Sequence, residues 1–343
     1  MRHRDILDRI DNYKTTIQAI LGFINFYRFD DVTKTFRADV KIFQGRHFEP
    51  SPEKKVKANG QQVAYVCPDF AILVSKDGGV VGEVKKSFPK DPQHWEDDFN
   101  QVKSYDDDLT GWPTESEKVK THDLVLVVDQ SRGVKVQEYY EAHKGVLGYQ
   151  RTFILVEFNR ADERQPYYHF RKCQGTGCLS DPNIDSRLKY GVKVPMWVFV
   201  QSYSEIQLYD DEPPTPYMIY LIWEHVLLPR ASDKAGFARL KKNQRVEIDI
   251  NVAEIVEELN RGFSFRRLHG DNCDRQPQIP KPEWVTRACE KLVALEEAQW
   301  IDGTKATIRF RFRRYDDVLE HFVEACSRGE TPGQMSLSFK SDE

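Results

Sequence analysis

The chain lacks any apolar run approaching the ~20 uncharged residues of a membrane span. Its first residues, Met1-Arg2-His3-Arg4-Asp5, open no apolar core of signal-peptide length. Cysteine is sparse, with six in 343 residues. That is too few for a dense disulfide framework, so a reducing cytoplasm is the expectation. There is no basic excess either: 50 Lys and Arg stand against 54 Asp and Glu, for a net charge of −4. A whole-molecule polycation that grips phosphates non-specifically is therefore excluded, whereas a locally basic groove is not. No Gly-x4-Gly-Lys-Ser/Thr loop occurs, so any ATP-driven step would need a partner. Nor does any internal repeat recur at a fixed period.

What is present is ordinary globular material. Charged residues make up 30% and hydrophobic ones 40%, and 20 Phe with 15 Tyr are ample for packed cores. The length predicts two domains.

From Asp5 to about Phe26, Ile6, Ile10, Ile17, Ile20, Leu21 and Ile24 recur at helical spacing, which predicts one amphipathic helix. The period changes at about Val63. A strand to Val74, the turn Ser75-Lys76-Asp77-Gly78-Gly79 and a returning strand Val80–Val84 read as a hairpin. His94–Leu109 returns to helical spacing. Asp123–Asp129 is a continuous apolar run, as expected of a strand covered on both faces. A helix around Val136–His143 and a strand Thr152–Phe158 follow. Helix, hairpin, helix, strand, helix, strand predicts an α/β domain with a mixed sheet.

Between 160 and 240, Tyr167–Arg171, Met196–Leu208 and Tyr217–Leu228 read as strands of a β-rich extension. Beyond Val246, Val252–Leu259 and Glu283–Leu295 read as helices. Ile308-Arg309-Phe310-Arg311-Phe312-Arg313 alternates strictly, giving a strand with one aromatic and one basic face. A last helix is expected at Asp316–Cys326. This order resembles a winged helix, whose wing would offer Arg309, Arg311 and Arg313 to DNA, joined by Arg314, Arg266 and Arg267. A solvated face paired with nearby acids such as Asp316 and Asp317 is the alternative. The expected divisions are a core at 1–165, a β-rich extension at 166–245, a winged-helix-like domain at 246–328 and a flexible tail at 329–343.

The chemistry lies in Cys67-Pro68-Asp69-Phe70, the hairpin turn, and Gly82-Glu83-Val84-Lys85. Glu83 and Lys85 are two apart on a strand, so both leave the same face, and Asp69 on the partner strand reaches it too. Two carboxylates supply the hard oxygens Mg²⁺ prefers. Lys85 beside them suits a role in orienting water or balancing charge on a phosphoryl group. The alternative is a surface hairpin bearing a solvated ion pair.

These residues resemble the PD-(D/E)xK nuclease superfamily over roughly residues 1–160. Gln101-Val102-Lys103-Ser104-Tyr105 looks like the Gln-x3-Tyr element of its RecB-like members. The resemblance implies a restriction-endonuclease-like mixed sheet flanked by helices. It implies a DNA endonuclease of restriction, anti-phage defence or repair, using Mg²⁺ with Mn²⁺ as a possible substitute. Asp69, Glu83 and Lys85 would be catalytic, Asp69 and Glu83 would hold metal, and Gln101 and Tyr105 would support them. The family often adds an acidic residue; Glu49 is the candidate beside Asp5, Asp8 and Asp11. A non-catalytic nucleic-acid-binding protein on the same scaffold is the competing class, and RNA is an alternative substrate. Duplex cutting makes a homodimer plausible.

Two further motifs stand apart. Cys173 and Cys178 with His269 and Cys273 could supply four zinc ligands, against unliganded thiols. Gln334-Met335-Ser336-Leu337-Ser338-Phe339 resembles the peptide by which bacterial DNA enzymes dock on the sliding clamp.

Overall fold

A computed structural model describes residues 3–30, 35–37, 39–52, 65–86, 88, 95–161, 164–198, 208–209, 211–232, 245–261 and 279–313. It is a mixed α/β structure whose described chain divides into two compact units. One is built from residues 15–204, the other from residues 3–14 with the described residues from 208 onward.

Helix α1 (His3–Arg28) leads, with a two-stranded hairpin of β1 (Phe29–Asp30) and β2 (Thr35–Phe36) after it. The main sheet then begins with β3 (Lys41–Gln44), β4 (Phe70–Ser75) and β5 (Gly78–Lys85). Helix α2 (Trp95–Lys103), β6 (Thr121–Asp129), α3 (Gln130–Leu147) and β7 (Phe153–Ala161) follow, then β8 (Tyr167–Lys172), α4 (Pro182–Tyr190) and β9 (Val192–Pro195). Seven strands lie in chain order, β3-β4-β5-β6-β7-β8-β9. The β5–β6 and β6–β7 pairs are parallel and the rest antiparallel. Parallel neighbours need a crossover, and α2 and α3 provide the two crossovers.

Both faces of the sheet are covered. Phe23 of α1 packs its ring against Phe70 of β4 and Phe170 of β8. On the other face Val81, Leu124, Leu126, Val128 and Leu155 meet Trp95, Phe99 and Val102 of α2 and Val136 of α3. Leu124 through Val128 are all fully buried, which is why β6 reads as an unbroken apolar run.

Helix α2 stops at Lys103, short of the Leu109 expected from the sequence. The buried Asp106 carboxylate accepts Lys103 Nζ at 2.6 Å and the Gln150 and Arg151 amides at 2.9 Å, pinning the chain to the α3–β7 loop. Burial pushes that carboxyl up, but these donors outweigh it and hold Asp106 below the usual range.

In the other unit, α5 (Thr215–Ile222) runs through a π-helical turn (Trp223–Leu227) into α6 (Leu228–Ser232). Tyr217–Leu228 is therefore helical, not a strand. Its residues are apolar nearly all round, so periodicity does not separate helix from strand there, while Pro216 in the first turn is a helix-start signal. Met196–Val198, read as the start of a strand, forms a 3₁₀ turn. The chain continues through β10 (Arg245–Asn251), α7 (Val252–Arg261), α8 (Pro282–Ala294), β11 (Ala298–Trp300) and β12 (Thr307–Arg313). The three strands form an antiparallel sheet, β10-β12-β11. Ile248, Ile250, Ile308 and Phe310 are buried on its inner face, as are Ile255 and Leu259 of α7 and Val285 and Leu292 of α8. The expected helix at 316–326 and the tail beyond it lie outside the described residues.

Candidate active site

The β4–β5 hairpin places the acidic cluster by register. Phe70 stands opposite Gly82, so Asp69 and Glu83 come together at the next position along the two antiparallel strands. The rung is tight, because a Cβ on Gly82 would lie 2.4 Å from the Phe70 ring and 2.6 Å from the Val125 carbonyl. Only glycine fits. Strand alternation then sends Glu83 and Lys85 to the same face as Val81, toward α2.

The two carboxylates are locked by backbone donors. The Val84 N–H donates to Asp69 Oδ2 at 2.8 Å, and the Asp69 N–H lies 3.3 Å from Glu83 Oε1. Both are buried, Glu83 at 1% and Asp69 at 8% exposure. Tyr105 donates its hydroxyl to Glu83 Oε1, and the Cys67 carbonyl lies 3.1 Å from the same hydroxyl. Burial, followed by the Glu83 and Asp69 charges, raises the Tyr105 phenol well above its ordinary value, so it stays a proton donor.

Lys85 Nζ donates to Gln101 Oε1 at 2.8 Å, and lies 3.5 Å from Glu83 Oε2 and 3.7 Å from Asp98 Oδ1. The structure thus brings together Asp69, Glu83, Lys85, Gln101 and Tyr105. Tyr105 sits just past α2, where its N–H closes a tight turn on the Val102 carbonyl at 3.0 Å. Asp98 was missed by sequence reasoning. It lies three residues before Gln101 on one helical stripe, the spacing that signals a shared face. Burial raises its carboxyl, partly countered by Lys85.

Glu49 is half-buried, its backbone tied to Thr110 by two 2.9 Å hydrogen bonds. Among the described residues no third carboxylate, His or Cys joins Asp69 and Glu83 in a metal-binding group. Asp5, Asp8 and Asp11 are on the part of α1 that belongs to the other unit. Two carboxylates still fit Mg²⁺, which keeps several waters and takes one or two carboxylates beside phosphate oxygens.

Of the zinc candidates, Cys173 is buried in the main core, and burial pushes its thiol up to about 12. Cys178 is exposed, its sulfur 3.7 Å from Lys172 Nζ. His269 and Cys273 lie outside the described residues, as do Arg266, Arg267, Arg314 and Gln334–Phe339. On β12, Arg309 grips Asp249 through both carboxylate oxygens at 2.6 and 2.7 Å, and Arg311 Nε lies 3.0 Å from Glu247. These are directly opposed cross-strand pairs. Arg313 stands in register with Arg245.

Compared with protein-family models, curated proteins and solved structures, the chain matches none.

Proposed function

We propose that residues 15–204 form a metal-dependent phosphodiesterase of the PD-(D/E)xK type that cuts DNA. The observation that carries this reading is the convergence of Asp69, Glu83 and Lys85 on one sheet face, with Tyr105 holding Glu83 and Gln101 holding Lys85. The order helix, three-stranded antiparallel meander, helix, parallel strand supports it at the level of fold. Asp106 and Glu157 are each buried against their own structural donors, but Asp69 and Glu83 are buried side by side, and the cost of holding two adjacent charges favours a used site over a binding-only scaffold.

Asp69 and Glu83 would hold Mg²⁺, or Mn²⁺ in its place. When bound, that ion polarises the scissile phosphate and lowers the pKa of a coordinated water. The protein's own groups do the remaining work. Tyr105 donates its hydroxyl to Glu83 Oε1 and fixes the carboxylate plane, leaving Oε2 turned toward Lys85. Lys85, steered by Gln101 and Asp98, sets a positive charge where negative charge grows on the phosphoryl oxygens.

The second unit supports DNA handling by its topology. Among the described residues, the order helix, strand, two helices and two strands, with the last strand central, is like that of a winged helix. Duplex cutting favours two copies acting together, and the Gln334–Phe339 peptide would tether the enzyme to a sliding clamp. No helix among the described residues is long and apolar enough to cross a membrane.

The test is supercoiled plasmid with Mg²⁺, with Mn²⁺ and with EDTA, alongside Lys85→Ala and a single-stranded RNA substrate. The reading expects nicking or linearisation with either metal, none in EDTA, and a loss of roughly 10²–10³-fold in the variant. Cleavage of RNA alone would move the substrate class. Cutting undiminished in Lys85→Ala would remove the site.

A further inference from the structure

A groove lies on the same unit, away from the acidic cluster. Register carries a single row across the sheet from Lys85 to Val128, Glu157 and Arg171. Three strand spacings separate Lys85 from Arg171, or about 14 Å. There, β9 stops pairing: its last rung with β8 is Val192 to Phe170, leaving Arg171 and Lys172 at an open edge. A groove of about 610 Å³ opens at this edge, between α3, α4 and the Cys173–Cys178 loop.

Its walls are prearranged. Glu157 is buried and accepts Arg171 Nε at 2.7 Å, holding the half-exposed guanidinium in place. Helix α3 closes on this pair at Gly133, where a Cβ would come within 2.6 Å of Glu157 Oε2. Lys172 is bound by both oxygens of Asp185 at 2.5 and 2.7 Å. These two pairs neutralise themselves. Lys189 lines the groove, joins neither pair, and leaves it net positive. Next to it stands Tyr190, an aromatic side chain 81% exposed at the end of α4, with the amide of Gln137 on the opposite wall.

An exposed aromatic face, an adjacent cation outside both ion pairs, a fixed guanidinium plane and an amide form the combination that binds one unstacked nucleotide. The ring stacks on a base of any sequence, the cation meets phosphate, and the Gln137 amide, its Nε2 donating to the Gln174 carbonyl at 2.8 Å, offers its oxygen to a base edge.

We infer that this groove binds a single unpaired nucleotide of the nucleic acid, about four base steps of duplex rise from the phosphate that reacts. It is therefore a non-reacting nucleotide, and its capture would favour substrates with frayed, flipped or single-stranded positions. The inference rests on the nuclease reading for its biological use but not for its detection.

The test is calorimetric titration of the full chain in EDTA with deoxynucleoside 5′-monophosphates and a short deoxyoligonucleotide. Inorganic phosphate and an acidic peptide serve as controls, and Lys85→Ala, Tyr190→Ala, Tyr190→Phe and Lys189→Glu as variants. Saturable nucleotide binding is expected in wild type and Lys85→Ala. It should weaken about tenfold or more in Tyr190→Ala and Lys189→Glu, and be retained in Tyr190→Phe. Unaltered melting of Tyr190→Ala establishes that the loss is local. Absence of nucleotide binding, equal binding of phosphate alone, preference for the peptide, or indifference to Tyr190→Ala each overturns it. Nucleotide binding without cleavage of either plasmid or RNA would sink the nuclease reading and leave the groove; cleavage without nucleotide binding would do the reverse.

Discussion

Two charged clusters in this chain are encoded by the same device, a strand bearing charges on alternate residues, yet they sit in opposite environments. On β5, Glu83 is 1% exposed and Lys85 is hemmed in by Glu83, Gln101 and Asp98. On β12, Arg309 and its partner Asp249 keep 31% and 45% side-chain exposure. In water-screened surroundings an opposed pair contributes little, and losing it costs little. In a buried setting each charge must be matched at short range, and keeping it is expensive. Two carboxylates buried side by side, rather than charge alone, are what the catalytic proposal for the first cluster rests on, whereas the second is a self-neutralised surface.

The largest effect expected from this contrast is Glu83→Gln. The amide keeps the shape and can still accept from Tyr105, so the melting midpoint should hold or rise as a desolvated charge is removed. Plasmid cleavage should fall by roughly 10²-fold or more. A variant that melts early and still cuts would make Glu83 structural and erase the distinction.

The next effect concerns what stands behind the cluster. His122 is buried, and its Nε2 lies 2.8 Å from the Tyr105 carbonyl, which can only accept, so that nitrogen carries the proton. Burial, then the charge of Arg151, depresses its pKa from 6.5 to about 4. Below about 6.5 the unfolded chain takes up a proton that the folded chain refuses. Stability is therefore lost as pH falls from 6.5 to about 4, by up to about 3 kcal/mol, and no further from this group below that. Urea melts across this range, compared with His122→Phe, measure it. Equal slopes in both proteins would remove His122 from the account.

The smallest effect is expected at the wing. Asp249→Asn should leave the melting midpoint unmoved while releasing Arg309, raising DNA affinity slightly and steepening its salt dependence. Unchanged binding at every salt concentration would mean that this face does not meet DNA.

How much of this was legible beforehand follows the range of the interactions. α1, the β4–β5 hairpin and β6 follow from spacing within one element, and the pairing of Glu83 with Lys85 follows from period two alone. The partners of Arg309 and Arg311 do not. Asp249 lies 60 residues upstream, and only the β10–β12 register brings it opposite. Sequence reasoning looked instead to the adjacent Asp316 and Asp317, which lie outside the described residues. Asp98 escaped notice because a carboxylate amid Glu96, Asp97 and Asp98 reads as the acidic first turn of a helix; only the fold turns one of the three toward Lys85. α5 was misread because an all-apolar stretch has no polar face to betray its period.

The order of strands in the smaller sheet bears on how the molecule is made. In the seven-stranded sheet every strand pairs with its predecessor, so each can add as it leaves the ribosome. In the three-stranded sheet the last strand, β12, is the central one, and neither β10 nor β11 has a partner until it arrives. Residues 3–14, made before either sheet, group with this late-forming unit: the Tyr13 ring packs against Tyr209, and its hydroxyl donates to the Asp211 carbonyl at 3.1 Å. Synthesis thus leaves the opening turns of α1 waiting for residues made 198 positions later. Ribosome-stalled chains ending before β12 would hold a finished larger sheet and an unfinished smaller one.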